Sequence, residues 1–256
     1  MNKTYAFTDL HGMYPLWEQI KNFCDETDRL IFLGDACDRG DDGLKIIKEL
    51  LLDKRVTYIK GNHEDFLEDI GAEVADERYG STPLWRMNGG FQTLQDFEKL
   101  SDSSKLWYIR QMSKLATVVE YTNTKGQKIL LSHAGFTPTL EPLETEVENY
   151  WWDREHIWSD WWPGADESDT EDVNKKEDYE HVYVVHGHTP VQSLRPKLQM
   201  VRHEFTQDGI VGPITYCQGH KIDLDVASFD TGCIVLFDLD EMKVAQKFYC
   251  EIEGVE

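Results

Sequence analysis

Three short apolar runs, each closed by a small polar motif, constrain this chain more than any other feature. Thr4 to Thr8 runs into Asp9-Leu10-His11-Gly12. Arg29 to Leu33 runs into Gly34-Asp35-Ala36-Cys37-Asp38-Arg39-Gly40, and Val56 to Ile59 into Gly61-Asn62-His63-Glu64. Between the first two, residues 14–26 place Leu16, Ile20 and Phe23 at helical spacing; between the second and third, residues 42–53 carry Leu44, Ile46, Ile47 and Leu51 on one side. Short apolar runs alternating with amphipathic stretches read as strands and helices. Strand, helix, strand, helix, strand is the pattern of a parallel βαβαβ unit with right-handed crossovers. Each motif then falls at the C-terminal end of a strand, where open α/β sheets build their sites.

Beyond this unit, residues 64–114 read as mostly helical, with breaks at Gly80 to Pro83 and at Asn88-Gly89-Gly90. Residues 116–121 and 128–132 are β-prone runs around Asn123-Thr124-Lys125-Gly126, a hairpin pattern, and the second run ends in Ser132-His133-Ala134-Gly135. A Trp-rich segment, 150–162, suits core or rim packing, and the acidic stretch 163–180, poor in apolar residues, reads as an exposed loop. Residues 181–185 form a further strand leading into a fourth motif, His186-Gly187-His188-Thr189, and about 198–250 is a series of short β-prone runs. No internal repeat is visible, so residues 1–256 read as one α/β domain, with 163–180 and 206–221 as insertions near the site. A chain of 256 residues can bury roughly 70% or more of its unfolded surface around one core.

Charge narrows the partners. A formal net charge of -22 opposes binding to nucleic acid polymers and anionic membranes, so a phosphate ligand must be captured locally by metals and a few arginines. The five cysteines (Cys24, Cys37, Cys217, Cys233, Cys250) include no Cys-x-x-Cys pair and are odd in number, which fits reduced thiols in a cytoplasm. Cys37 lies inside the second motif and is a candidate redox-sensitive thiol; its ordinary reading is a small filler in a tight loop. No signal peptide pattern precedes the first strand and no apolar run approaches the roughly 18 residues of a membrane span, so a soluble, cytoplasmic protein is expected.

The motifs bring Asp, His, Asn and Arg together, the residue types that hold two divalent metals and a phosphate. Phosphoester hydrolysis at neutral pH needs a strong nucleophile and neutralisation of charge on the phosphoryl oxygens. Two ions about 3.5–4 Å apart supply both by acidifying a bridging water and clamping the phosphate. Asp9 and His11 can face one ion from a single turn. Asp35 leaves the neighbouring strand and is the natural bridging carboxylate. The neutral amide oxygen of Asn62 suits a second ion, whose shell His133 and His188 can complete. Each motif alone is explicable as turn or capping chemistry; their succession on consecutive strand ends is what points to a single site.

With these motifs, and with Asn88-Gly89-Gly90, Trp152-Asp153-Arg154, Gly187-His188-Thr189-Pro190 and Asp230-Thr231-Gly232, nearly the whole chain resembles the phosphoprotein-phosphatase branch of the calcineurin-like metallophosphoesterases. The small bacterial and bacteriophage enzymes are the most similar, and the Asp38-Arg39 pair marks the branch. The resemblance implies a β-sandwich of two mixed sheets flanked by helices. It implies one metal on Asp9, His11 and Asp35, a second on Asp35, Asn62, His133 and His188, and a metal-bridging hydroxide as nucleophile. His63 would be the general acid, held by Asp38, and Arg39 and Arg154 would grip the phosphate. The implied activity is a Ser/Thr protein phosphatase acting on a phosphorylated protein, peptide or small phosphoester with manganese, although iron or zinc suits the same donors. The alternative is a diadenosine tetraphosphate hydrolase, with residues 150–162 able to wall a base. An inactive phosphate-binding module is disfavoured because all six candidate ligands and His63 are present. His186 and Asp230 are left as supporting or turn residues, and His156, His181, His203 and His220 as surface or packing residues.

Overall fold

The computed structural model describes residues 2–75, 82–137, 149–157, 180–194 and 212–252. His203, residues 206–211 and all of the acidic stretch except Glu180 lie outside them.

Two five-stranded mixed sheets form a sandwich. In the first, β1 (Thr4–Phe7), β2 (Arg29–Phe32) and β3 (Val56–Tyr58) run parallel, with Tyr5 beside Leu30 and Leu30 beside Val56. On the other side of β1 lie two antiparallel strands, β9 (Cys233–Asp238) and then β10 (Lys243–Tyr249). The second sheet starts with the hairpin of β4 (Val118–Thr122) and β5 (Lys128–Ser132). Parallel β6 (Val182–His186) and β8 (Lys221–Asp223) follow, and antiparallel β7 (Ile214–Tyr216) is the edge strand.

Alternation along the strands builds two apolar layers at once, because successive side chains point to opposite faces. Tyr5 and Phe7 of β1, with Leu30 and Phe32 of β2, face outward to the helices. There they meet Leu16, Trp17 and Ile20 of α1 (Tyr14–Phe23) and Ile46, Ile47 and Leu50 of α2 (Gly43–Leu52). The intervening Ala6 and Ile31 face inward, where Leu33 and Ile59 join them against Ile129, Leu131, Val185 and Ile222 of the second sheet. Strands buried on both faces have to be apolar throughout, which is why these runs are so legible.

Local differences from expectation have identifiable causes. Helix α1 stops at Phe23, short of residue 26, because Asp28 accepts the N–H groups of Asp25 and Lys3 at 2.9 and 3.0 Å and turns the chain into β2. The helical region after the third motif is α3 (Asn62–Ala75), α4 (Thr82–Met87), α5 (Phe91–Glu98) and α6 (Asp102–Met112), with a turn at Asn88-Gly89-Gly90. Residues 206–221 do not behave as an insertion along their whole length. Ile214–Tyr216 pairs with Lys221–Asp223 in the second sheet, and Ile214 and Tyr216 are buried in its core. Among the described residues, no helix is long and apolar enough to cross a membrane.

Candidate metal centre and phosphate site

All four motifs meet at one end of the sandwich. Among the described residues, nine non-glycine positions have positive φ, and six of them are site candidates: Asp9, His11, Asp35, Asp38, Arg39 and His188. Left-handed backbone is costly for such residues, and its concentration here means the surrounding fold holds these turns in place to aim their side chains. Glycines make the crowding feasible. A Cβ on Gly12 would collide with the backbone of Gly40, and one on Gly40 with that of His11 and Gly12, so the first two motif loops lie directly against each other.

The Asp35 carboxylate is the focus. Its Oδ2 lies 3.6 Å from His11 Nε2, 3.7 Å from His63 Nε2 and 3.3 Å from His133 Nε2, and all four residues are buried. The tautomers follow from the partners. His11 Nδ1 donates to the Cys37 carbonyl at 3.0 Å and His133 Nδ1 to the Leu33 carbonyl at 2.8 Å, which turns both Nε2 atoms toward the carboxylate. Asn62 Oδ1 and His188 Nδ1 approach His133 Nε2 at 3.0 and 3.2 Å. Asp9 completes the other side, with Oδ1 3.6 Å from His11 Nε2 and Oδ2 accepting the His188 backbone N–H at 3.1 Å. Carboxylate oxygen, amide oxygen and imidazole nitrogens, all of buried residues, thus converge within a few ångströms of one another, a donor set suited to divalent metals. Among the described residues, two trios have ligand atoms close enough to share an ion: His11, Asp35 and His63, and Asp35, His133 and His188. Asp35 belongs to both.

The electrostatics express the same crowding. Burial would push Asp35 up, but His133, His63 and His11 beside it hold its carboxyl well below the usual range. His133 would be lowered by burial, yet the Asp35 charge and hydrogen bond carry it to about 9. His188 is driven well below an ordinary histidine by burial and then by His133 and Arg154, so its ring is neutral and fit to ligate.

His63 differs from the other histidines in its anchoring. Its Nδ1 lies 2.6 Å from Asp38 Oδ2, and the Trp85 indole N–H donates to that same oxygen at 2.7 Å. The Asp38 backbone N–H donates to Thr93 Oγ1 at 2.9 Å. Burial lowers His63, but Asp35 and Asp38 together raise it above its ordinary value. Arg39 and Arg154 stand at the exposed rim, and among the described residues neither guanidinium has a hydrogen-bond or ion-pair partner. Arg154 is lowered by partial burial against the support of Asp35, Asp225 and Asp9, which places its charge over the carboxylates of the site. Trp152 packs its ring 6.2 Å from that of His188, at the rim, whereas Trp151 is buried in the core.

Some participants were not visible as such in the sequence. Glu64 is fully buried; its Oε2 accepts the N–H groups of Asp35 and Gly61, and its Oε1 accepts that of Ala36 and the Tyr58 hydroxyl, all at 2.8 Å. It ties the second motif loop to the third. Asp225 is buried beside Asp9, and burial and that neighbour push it well above the carboxylate range, whereas Asp230 is exposed in a one-turn helix, Ser228–Thr231. The acid facing the site from this region is therefore Asp225, and Asp230 is a turn residue. His186 supports the fourth motif: its Nδ1 donates to the Gly187 carbonyl at 3.0 Å, and its Nε2 accepts from Tyr216 at 2.6 Å. Cys37 is buried and its thiol is pushed well up by burial and by Asp38, Glu64 and Asp35, which fits a filler and not a reactive thiolate. His156 is a buried packing residue, and His181 is exposed.

Comparison with known proteins agrees with this geometry. Residues 3–193 match the family described as calcineurin-like phosphoesterase. The chain is 30% identical over 139 residues to the symmetrical bis(5'-nucleosyl)-tetraphosphatase of Buchnera aphidicola, covering 53% of this chain and 45% of that protein. It is 26% identical over 155 residues to serine/threonine-protein phosphatase 1 of Salmonella typhimurium, covering 58% and 67%. The matched region thus spans about half the length of the tetraphosphatase. Among solved structures, a candidate diadenosine tetraphosphatase superposes with a TM-score of 0.59 at 14% identity, over 98% of this chain and 94% of that one. A metallophosphoesterase from Sphaerobacter thermophilus gives 0.52 at 12%, over 98% and 89%.

Proposed function

The chain belongs to the calcineurin-like phosphoesterase family, and from that premise we propose that it is a dinuclear-metal phosphomonoesterase acting on phosphoserine and phosphothreonine in proteins. Asp9, His11 and Asp35 would hold one ion, and Asp35, Asn62, His133 and His188 the other. Bound there, divalent ions supply Lewis acidity toward the phosphoryl oxygens and toward water. The observation that carries the reading is the convergence of three imidazole Nε2 atoms on Asp35 Oδ2, with the exposed guanidinium groups of Arg39 and Arg154 nearby.

The remaining residues have separable tasks. His63 keeps Nδ1 on Asp38, so a proton carried on Nε2 is presented to the cleft, where it can be delivered to the leaving alkoxide oxygen. A raised His63 keeps that proton available near neutrality. Arg39 and Arg154 offer planar forks to the non-bridging phosphate oxygens.

A second reading, hydrolysis of diadenosine tetraphosphate, is favoured by the Buchnera tetraphosphatase. The phosphatase reading is supported by the Salmonella relative, which is matched over more of its own length. The deciding experiment is a turnover panel with manganese: a phosphothreonine peptide, a phosphotyrosine peptide, diadenosine tetraphosphate and a 2′,3′-cyclic nucleotide, each also run with Asp35→Ala. The phosphothreonine peptide is expected to have the highest kcat/KM, and Asp35→Ala to be inactive. Faster turnover of the dinucleotide would replace this reading with the second.

A further inference from the structure

The Asn88-Gly89-Gly90 turn joins α4 to α5 and touches two parts of the site that do different work. Its first glycine meets Arg39. The Gly89 carbonyl accepts the Arg39 backbone N–H at 2.8 Å, and a Cβ on Gly89 would lie 2.8 Å from Arg39 Cγ. Its second glycine meets Trp85. A Cβ on Gly90 would overlap Cδ1 and Nε1 of the indole, and that Nε1 is the atom that donates to Asp38 at 2.7 Å. Asp38 in turn holds His63 Nδ1.

The two glycines stand there for different reasons. Gly89 has a φ of +93°, a conformation that L side chains rarely adopt, so backbone and neighbour both call for glycine. Gly90 has a φ of -75°, which any residue adopts. A glycine at such a φ only adds unfolded-state entropy relative to alanine, so the reason for it lies beside it, in the indole. Trp85 is fully buried, and a close-packed interior leaves its ring little room to retreat from an added methyl.

We propose that Gly89 and Gly90 are positioning residues with separate targets. Gly89 leaves clear the space that the Arg39 stem crosses, and Gly90 seats the indole that holds Asp38 and, through it, His63. This rests on the roles given above to Arg39 at the phosphate and His63 as proton donor, and not on the identity of the substrate.

The test uses p-nitrophenyl phosphate, whose leaving group departs with little need of a proton, and phenyl phosphate, whose leaving group needs one more. Both are run with manganese on the wild type, Gly89→Ala, Gly90→Ala, Arg39→Ala and Trp85→Phe. Gly90→Ala should lower kcat for phenyl phosphate about tenfold more than for p-nitrophenyl phosphate, and should add no further selectivity to Trp85→Phe. Gly89→Ala should raise KM for both substrates, and the inhibition constant of inorganic phosphate, about tenfold, the scale of one charge-assisted hydrogen bond. It should leave the ratio of the two substrates unchanged and add nothing to KM when combined with Arg39→Ala. Gly89→Asn, which accepts positive φ yet carries a Cβ, gives the same test with less backbone strain. A ratio of two substrates on one preparation does not depend on the folded fraction, so general destabilisation does not mimic either effect. Equal slowing of both substrates by Gly90→Ala, or a rise in KM from Gly89→Ala that persists in the Arg39→Ala background, overturns the proposal. If Arg39→Ala and Trp85→Phe themselves change neither phosphate affinity nor selectivity, the roles of Arg39 and His63 fail, and the proposal with them.

Discussion

Replacing Glu64 by Gln tests whether hydrogen bonding or charge repulsion governs the heart of the site. The buried Glu64 carboxylate accepts three backbone N–H groups, from Asp35, Ala36 and Gly61, and one hydroxyl, from Tyr58. A glutamine has one acceptor oxygen and one NH2. With the oxygen in place of Oε2, it keeps Asp35 and Gly61, and its NH2 donates to a rotated Tyr58 hydroxyl, but the Ala36 N–H then faces another donor. The opposite placement orphans two N–H groups, so the first is preferred. One orphaned buried donor costs about 1–3 kcal/mol, and the two retained bonds lose their charge assistance, for a total of about 2–4 kcal/mol. At about 2–4 °C per kcal/mol for a chain of this size, Tm falls by roughly 5–15 °C. Against this, burial and the neighbouring Asp35 raise the Glu64 pKa, so the neutral glutamine also relieves repulsion. Calorimetry of the metal-free protein near pH 7 decides the sign. A Tm equal to or above that of wild type would refute the view that Glu64 acts as the clamp between the second and third motifs. With manganese present, the variant is also expected to hydrolyse p-nitrophenyl phosphate more slowly, because Asp35 and Asn62 leave adjoining turns.

Trp85→Phe removes the indole N–H from Asp38 and loosens the carboxylate that orients His63; a phosphothreonine peptide should slow about tenfold more than p-nitrophenyl phosphate, whose leaving group needs little protonation. Equal slowing would show that Trp85 does not act through the proton donor. Stability should also respond to pH through His156, which burial and then the Lys221 charge push down to about 3. Because the folded value lies below the unfolded one, this stabilisation is complete above about pH 6.5 and is lost as pH falls and the unfolded chain takes up the proton. Between pH 7 and pH 5 the loss from this residue is about 2 kcal/mol, so urea-unfolding stability of the wild type should fall that much more than that of His156→Gln. Parallel curves would sink the assignment.

The sequence by itself determined the βαβαβ unit and which residue types gather at its strand ends. Strands buried on two faces leave continuous apolar runs, and metal ligation needs particular side chains at particular turns, so both are written in local residues. His133 and His188 were legible for the same reason, each following its own strand. What tertiary structure decided is whatever depends on partners far apart in the chain. Glu64 reads as an ordinary acid at the start of a helix until Asp35 and Ala36, about thirty residues earlier, are seen donating to it. Nothing in the sequence around Trp85 marks its role until its N–H meets Asp38, 47 positions away. Asp225 and Asp230 are equally plausible by type, and only burial beside Asp9 separates them. Tyr216, in a stretch that looks inserted, closes onto His186 across two strand pairings. Local pattern records which element a residue belongs to and what chemistry it can do. Which buried polar group meets which is fixed only when the two sheets close, because a hydrogen bond's partner leaves no trace in the spacing of its neighbours.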